Sequence, residues 1–570
     1  MSTLVATSTA HPLIGKHQQT LDRALQAIRD RGYWSAYAES PSPRLYGEAA
    51  ADEGRTAFEG RLGQPVQLGQ PGVTGLIGEE VSPYGRPLGV KYPHVTDLGA
   101  LLGAMQAAMP AWRDAGPELR AAVCVEILER INQRSFEIAH AVMHTTGQAF
   151  VMAFQAGGPH AQDRALEAVA YGYDEMSRVP CSAYWEKPQG KRDPLRMRKD
   201  FHIVPRGIAL VIGCNTFPTW NAYPGLFASL VTGNPVLVKP HPRAILPLAL
   251  TVQACREVLA ETGFSPDLVT LVAEAPGDRM AAELAVRDEV QIIDFTGSTP
   301  FGQWLEANAG QAQVYTEKAG VNPVVIDSTD DFGGMCANLA FSLSLYSGQM
   351  CTTPQNVLVP RDGITAGGEH KTFDEVAQGI AGAVSQLLAD DARAVEVLGA
   401  IVNPDVLTRL DRAPGLGQVV LPTRAVAHPQ FPDAVIRTPV IIAVGADDEG
   451  SYGRECFGPV AFLIATDSTE HSLRLLRRTV GEHGALTAAL YSADESVLRA
   501  AERAAIDAGV ALSANLTGGV YVNQSAAFSD FHATGANPAA NAALTDAAFV
   551  AGRFRVVQSR SPLPGPPQPS

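Results

Sequence analysis

The chain has 570 residues, 46% of them apolar and 18% charged, with 59 acidic against 44 basic residues and a formal net charge of −15. A chain of this length outgrows a single core, so two or more large domains are expected, and its acidic balance excludes a non-specific grip on nucleic acid or an anionic membrane. There is no basic leader followed by an apolar run and no stretch of about 18 apolar residues, and the seven cysteines (124, 181, 214, 255, 336, 351, 456) stand singly without a CxxC pair, so a cytoplasmic protein with reduced thiols is expected.

Residues 1–90 are rich in Gly, Pro and Ala, with one helix expected around "HQQTLDRALQAIRDRGYW", and form an N-terminal extension that packs on the main body. From Thr96 to Met176 apolar residues recur at helical spacing, which predicts a helical layer. Within it His140 and His144 lie four apart, a spacing open to a metal. The intervening "HAVMH" lacks the glutamate that a zinc hydrolase requires, so they are read as ordinary helix histidines and no metal is expected. "EKPQGKRDPLRMRKDFHIV" is polar and alternating, which suggests exposed strands outside the main sheet.

Beyond it, short apolar runs alternate with helix-length segments. "GIALVIGC" (207–214), "NPVLVKP" (234–240), "DLVTLVA" (267–273) and "VQIIDFTG" (290–297) are nearly all apolar, which indicates a parallel sheet covered on both faces, a doubly wound α/β domain. A second alternation after Gly320, through 322–328, 355–360, 485–492 and 519–525, indicates a second α/β domain. "GRFRVVQSR" (552–560) reads as a late strand that pairs with the strands near 190–203, ahead of a disordered "SPLPGPPQPS".

In doubly wound sheets ligands bind beyond the carboxyl ends of the strands. There the sequence places Asn215, with Asn221 nearby, after the first strand, Lys239 after the second, and Gly297 and Ser298 after the fourth, where a helix start offers backbone amides to a phosphate. A plain N-cap explains Ser298 as well. Glu317 in "YTEKAG" falls at the domain boundary, 34 residues before Cys351 in "YSGQMCTTPQ". By itself Cys351 reads as a small apolar core residue.

These pieces in this order, followed by "ECFGPV" (455–460), resemble the aldehyde dehydrogenase superfamily over about residues 95–560. The family keeps its glutamate and cysteine at this separation, in "E-x-G-G" and "G-Q-x-C" contexts that here read "EKAG" and "GQMC". The resemblance implies an NAD(P)-binding domain over 91–183 and 204–318, a catalytic domain over 319–550, and oligomerisation strands at 184–203 and 551–560 that make a homodimer or homotetramer. It implies Cys351 as the nucleophile that forms a thiohemiacetal and then a thioester, Asn215 as oxyanion stabiliser and Glu317 as the base of hydrolysis. For the cofactor it implies Lys239, Gly297, Ser298, Glu455 and Phe457.

Three positions depart from the family pattern. "C-N-T-F-P" stands for "P-W-N-F-P", so either Asn215 or Thr216 fills the oxyanion slot. Pro242 stands where NAD-preferring members carry a glutamate, with His241 and Arg243 adjacent, so a 2′-phosphate is repelled less and the cofactor is NADP or NAD. Ala319 replaces a glycine. Cys214 and Cys456 are read as small strand residues.

"LYSGQMCTTPQNVLVP" and "GANPAANAALTD" resemble the phenylacetic acid degradation branch, PaaN, which implies a ring-derived semialdehyde, in free or coenzyme A-linked form, as substrate. The fusion enzymes of that branch carry a further hydratase domain, for which no segment is read here. The basic "KRDPLRMRK" suits a coenzyme A phosphate or, more simply, a solvated strand at a subunit contact. A coenzyme A-acylating dehydrogenase, which generally lacks the glutamate at 317, and a catalytically silent scaffold of the same fold are the alternatives.

Overall fold

The computed structural model describes residues 11–318 and 320–563. Five parallel strands form the first sheet in the spatial order Val269–Leu271, Val236–Lys239, Ile208–Ile212, Val290–Thr296, Gln313–Glu317. The chain starts at the centre, works outward to one edge and returns to build the other, so the strand order reverses between Ile208–Ile212 and Val290–Thr296. Side chains alternate along the central strand. Ala209 and Val211 face one apolar layer with the helices Pro218–Val231 and Leu246–Glu261, while Ile208, Leu210 and Ile212 face another with Leu98, Leu101 and Met105 of the helix Leu98–Asp114. Burial on both faces is why these strands are apolar throughout.

The second sheet has seven strands in the order Gln418–Leu421, Val440–Gly445, Val460–Thr466, Asn356–Pro360, Pro323–Ile326, Thr487–Tyr491, Ala511–Ala514, parallel except for the first pair. It ends at Ala511–Ala514, and the expected strand at 519–525 does not form. There the carbonyls of Val520, Val522 and Asn523 accept from Asn338, Thr487 and Thr352 side chains. With those acceptors satisfied by side chains, the segment needs no ladder despite its alternating pattern.

Helices fill the region expected to be helical, from Leu98–Asp114 to Pro159–Ser177. The N-terminal extension docks on them. Leu21, Ala24, Ala27 and Ile28 of the helix Pro12–Asp30 join the main core, and the buried Glu80 carboxylate accepts from the amides of Ile245, at 2.6 Å, and Leu246, at 3.2 Å, where a helix of the first sheet begins. His140 and His144 both stack on Phe58 of this extension, at 5.7 and 5.1 Å, and burial pushes them down to about 4 and about 3. They are packed as neutral aromatic rings, with Nδ1 of His144 bonded to Ser82 at 2.9 Å.

Ser182–Gln189, Arg192–Pro205 and Phe554–Pro562 make a separate three-stranded antiparallel sheet that leaves Tyr184, Leu195, Val556 and Val557 exposed. Its last strand runs through Pro562, so Ser561 and Pro562 are strand residues and not part of a disordered tail as expected, and residues 564–570 of that tail lie outside the described residues.

Candidate active site

The reversal point of the first sheet opens into a cavity of about 920 Å³. Its lining includes Cys214, Asn215, Thr216, Lys239, Gly297, Ser298, Glu317, Cys351, Glu455 and Phe457. Every residue singled out for chemistry therefore faces one space, although the two sheets contribute them from positions up to 242 residues apart in sequence.

Cys351 is presented by a constrained loop. The helix Phe332–Ser344 ends in a turn in which Tyr346, Ser347 and Gly348 all take left-handed backbone angles, with φ of 54°, 51° and 64°. Such a run is unfavourable for side chains with a Cβ and persists only where its surroundings hold it. Here the Tyr346 hydroxyl donates to the Thr146 carbonyl, and that of Ser347 to the Gly399 carbonyl at 3.0 Å. A Cβ on Gly348 would meet the Gly458 carbonyl oxygen at 2.6 Å, so glycine is required.

The other motif residues act as struts. Gln349 donates to the Ala400 carbonyl at 2.9 Å and accepts from the Val402 amide at 3.1 Å. Asn322 donates to the carbonyls of Cys351, at 2.7 Å, and Thr353, at 3.0 Å. Gln355 accepts from the Cys456 amide at 2.6 Å and donates to the Arg454 carbonyl at 3.0 Å, which fixes the loop bearing Glu455 against the loop bearing the thiol. Burial, with the Glu317 carboxylate second, pushes the Cys351 thiol well above its ordinary range.

Glu317 ends the edge strand Gln313–Glu317 and is buried. Its Oε2 accepts from the Asn221 amide at 3.4 Å and lies 3.2 Å from Nε2 of His532. Asn215 lines the cavity and donates to the Thr145 carbonyl at 3.3 Å, whereas the Thr216 carbonyl accepts from Gln148 at 2.8 Å. Burial raises Glu455 to about 7, opposed by the Gly320 amide. Cys214 and Cys456 lie in loops, not strands. Cys214 follows the central strand and faces the cavity, and Cys456 is the residue whose amide Gln355 holds.

At the opposite end, Lys239 pairs with Glu274, a buried carboxylate from the neighbouring strand's end that also accepts from the Met280 amide at 3.1 Å. Burial lowers Lys239, with Glu274 opposing the shift, and lowers His241 to about 3. Ser298 precedes the helix Thr299–Asn308 and its side chain makes no capping bond. A cation beside a buried carboxylate, a helix N-terminus, and Glu455 with Phe457 across the cavity match the hydroxyls, phosphates and ring of a dinucleotide in their chemical types. Ala319 lies outside the described residues.

Glu274 and His532 were missed in the sequence. Glu274 follows the third strand as Lys239 ends the second, so the same rim logic would have found it. His532 lies in an irregular segment without periodicity, and no local signal marks it. Arg196 and Arg198 of the basic stretch pair with Glu186 and Asp200 in the outlying sheet, and neither lines the cavity.

The family model described as "Aldehyde dehydrogenase family" matches residues 88–537. A crystal structure of an NAD-dependent aldehyde dehydrogenase from Burkholderia multivorans is 59% identical, covers 98% of this chain and 100% of its own, and superposes with a TM-score of 0.96. Benzaldehyde dehydrogenase [NAD(+)] of Pseudomonas putida is 25% identical over 390 residues, 66% of this chain and 73% of that protein. Vanillin dehydrogenase of a Pseudomonas strain is 26% identical over 429 residues, 73% of this chain and 80% of that protein.

Proposed function

This chain belongs to the aldehyde dehydrogenase family, and from that premise we propose that it oxidises an aromatic or ring-derived aldehyde to the free carboxylic acid with NAD, using Cys351 as nucleophile and Glu317 as hydrolytic base. The observation that carries the reading is the single cavity onto which Cys351, Glu317 and the dinucleotide-type residues open.

In this mechanism the Cys351 sulfur bonds to the aldehyde carbon, and the amides of Asn215 and of the Cys351 backbone stabilise the oxygen that takes up the negative charge. The bound dinucleotide supplies a hydride acceptor. Lys239 and Glu274 orient its adenosine end, Ser298 and the helix behind it hold the phosphates, and Glu455 and Phe457 fix the far end. Glu317 then takes a proton from the water that attacks the thioester on Cys351.

For an aromatic substrate, support comes from the aldehydes in the names of the two Pseudomonas relatives and from Phe217, an aromatic side chain in the cavity wall that packs edge to face on Tyr346 at 5.7 Å. A ring-derived semialdehyde of phenylacetate catabolism, free or coenzyme A-linked, is the finer form of this proposal. It rests on the sequence resemblance alone.

The test is reduced-cofactor formation against a panel of aromatic and aliphatic aldehydes, with and without coenzyme A. Wild type turns over without coenzyme A, Cys351→Ala is inactive, and Glu317→Gln gives one stoichiometric burst. Full activity in Cys351→Ala overturns the mechanism. A requirement for coenzyme A as acyl acceptor moves the protein to the acylating class.

A further inference from the structure

A thiol pushed above its ordinary range is a poor nucleophile, because the thiolate is the reacting species. At Cys351 both burial and the neighbouring Glu317 carboxylate oppose ionisation. The reaction therefore needs a group that accepts the thiol proton and balances the thiolate charge.

His532 stands where such a group belongs. Its Nε2 is 3.9 Å from the Cys351 sulfur and 3.2 Å from Oε2 of Glu317. The ring is only 4% exposed and lies edge-on to Trp220, with centroids 4.6 Å apart. Its backbone is clamped, since His532 N donates to the Leu544 carbonyl at 3.0 Å and Leu544 N to the His532 carbonyl at 2.8 Å. One nitrogen thus faces both the thiol and the carboxylate. Once the thiol proton is on Nε2, that N–H faces both the sulfur and Oε2 of Glu317, so both neighbours hold the proton in place.

We propose that His532 is the base that takes the Cys351 thiol proton, with Glu317 as the counter-charge that holds the imidazolium. This rests on the reading of Cys351 as nucleophile. The S–H bond breaks, its electron pair stays on sulfur, and the proton forms an N–H bond at Nε2, with no change in oxidation state. The sulfur then bonds to the aldehyde carbon. When the thioester is hydrolysed and the thiolate is released, the proton returns from Nε2 to sulfur. Among the described residues, Glu455 and Cys214 also act on the Cys351 thiol, and Arg164 lies over the ring of Trp220, the residue packed on His532, at 5.6 Å.

The test follows alkylation of Cys351 by iodoacetamide in the full chain without cofactor or aldehyde, located by peptide mass spectrometry, as a function of pH. In wild type the rate carries an inflection below the ordinary thiol range. In His532→Gln that inflection is lost and the rate near neutral pH falls by at least about tenfold, while free imidazole restores part of the rate in His532→Ala. The proposal is overturned by wild-type rates and profile in a folded His532→Gln. It is equally overturned if wild type alone shows a single limb in the ordinary thiol range or above, a result that needs no variant to fold. Failure of wild-type Cys351 to react at any pH overturns instead the reading of Cys351 as nucleophile.

Discussion

Lys239, at the end of the strand Val236–Lys239, and Glu274, in the loop that follows the neighbouring strand Val269–Leu271, form a buried ion pair in the wall of the cavity. Glu274 thus brings a carboxylate to Lys239, although the sequence has Pro242 where the family resemblance leads us to expect one. A carboxylate there accepts ribose hydroxyls and repels a 2′-phosphate. Glu274→Gln is expected to shift the ratio of kcat/KM for NADP over NAD upward by about tenfold or more, which corresponds to about 1.4 kcal/mol. Steady-state kinetics with both cofactors check this, and an unchanged ratio removes Glu274 as the discriminator.

Glu455 titrates near neutrality because burial raises it to about 7. Its folded value lies above its unfolded one, so its contribution to stability is full below the ordinary carboxylate range and is lost as pH rises through about 7. Cofactor hydroxyls that donate to the carboxylate favour the ionised form. NAD affinity, followed by tryptophan quenching, should therefore tighten between about pH 6 and pH 8, and Glu455→Gln should flatten that dependence. Parallel slopes in both proteins would assign the titration elsewhere.

Arg553 is fully buried and makes a two-pronged contact with Asp294 in the strand Val290–Thr296, at 2.7 and 2.6 Å, tying the C-terminal segment to the first sheet. Arg553→Ala leaves the Asp294 charge buried without its partner and should destabilise the fold by about 3–5 kcal/mol. Adding Asp294→Leu to Arg553→Met should recover most of that, because replacing both charges by apolar groups removes the desolvation penalty. Urea unfolding midpoints of the single and double variants decide the matter.

The outlying antiparallel sheet exposes Leu195 at 48% and Val557 at 53%, apolar residues on strands with little else to cover them. Our proposal is that this sheet is the contact of a homo-oligomer. Leu195→Asp with Val557→Lys should lower the mass measured by light scattering towards that of a single chain. An unchanged mass would place the contact on another surface.

The doubly wound sheet was legible because its strands are buried on both faces, and that burial writes continuous apolar runs such as "GIALVIGC" into the sequence. Cys351, Glu317 and Lys239 were legible because they follow strands or stand at a fixed separation in recognisable motifs. The strand expected at 519–525 failed because alternation cannot show that side chains of Asn338, Thr487 and Thr352 take up its carbonyls. His532 and Glu274 could be paired with Cys351 and Lys239 only by the tertiary structure. His532 lies 181 residues from the thiol and Glu274 sits in the loop after the adjacent strand, and short-range electrostatics between such groups depends on distances of a few ångströms that no local pattern encodes.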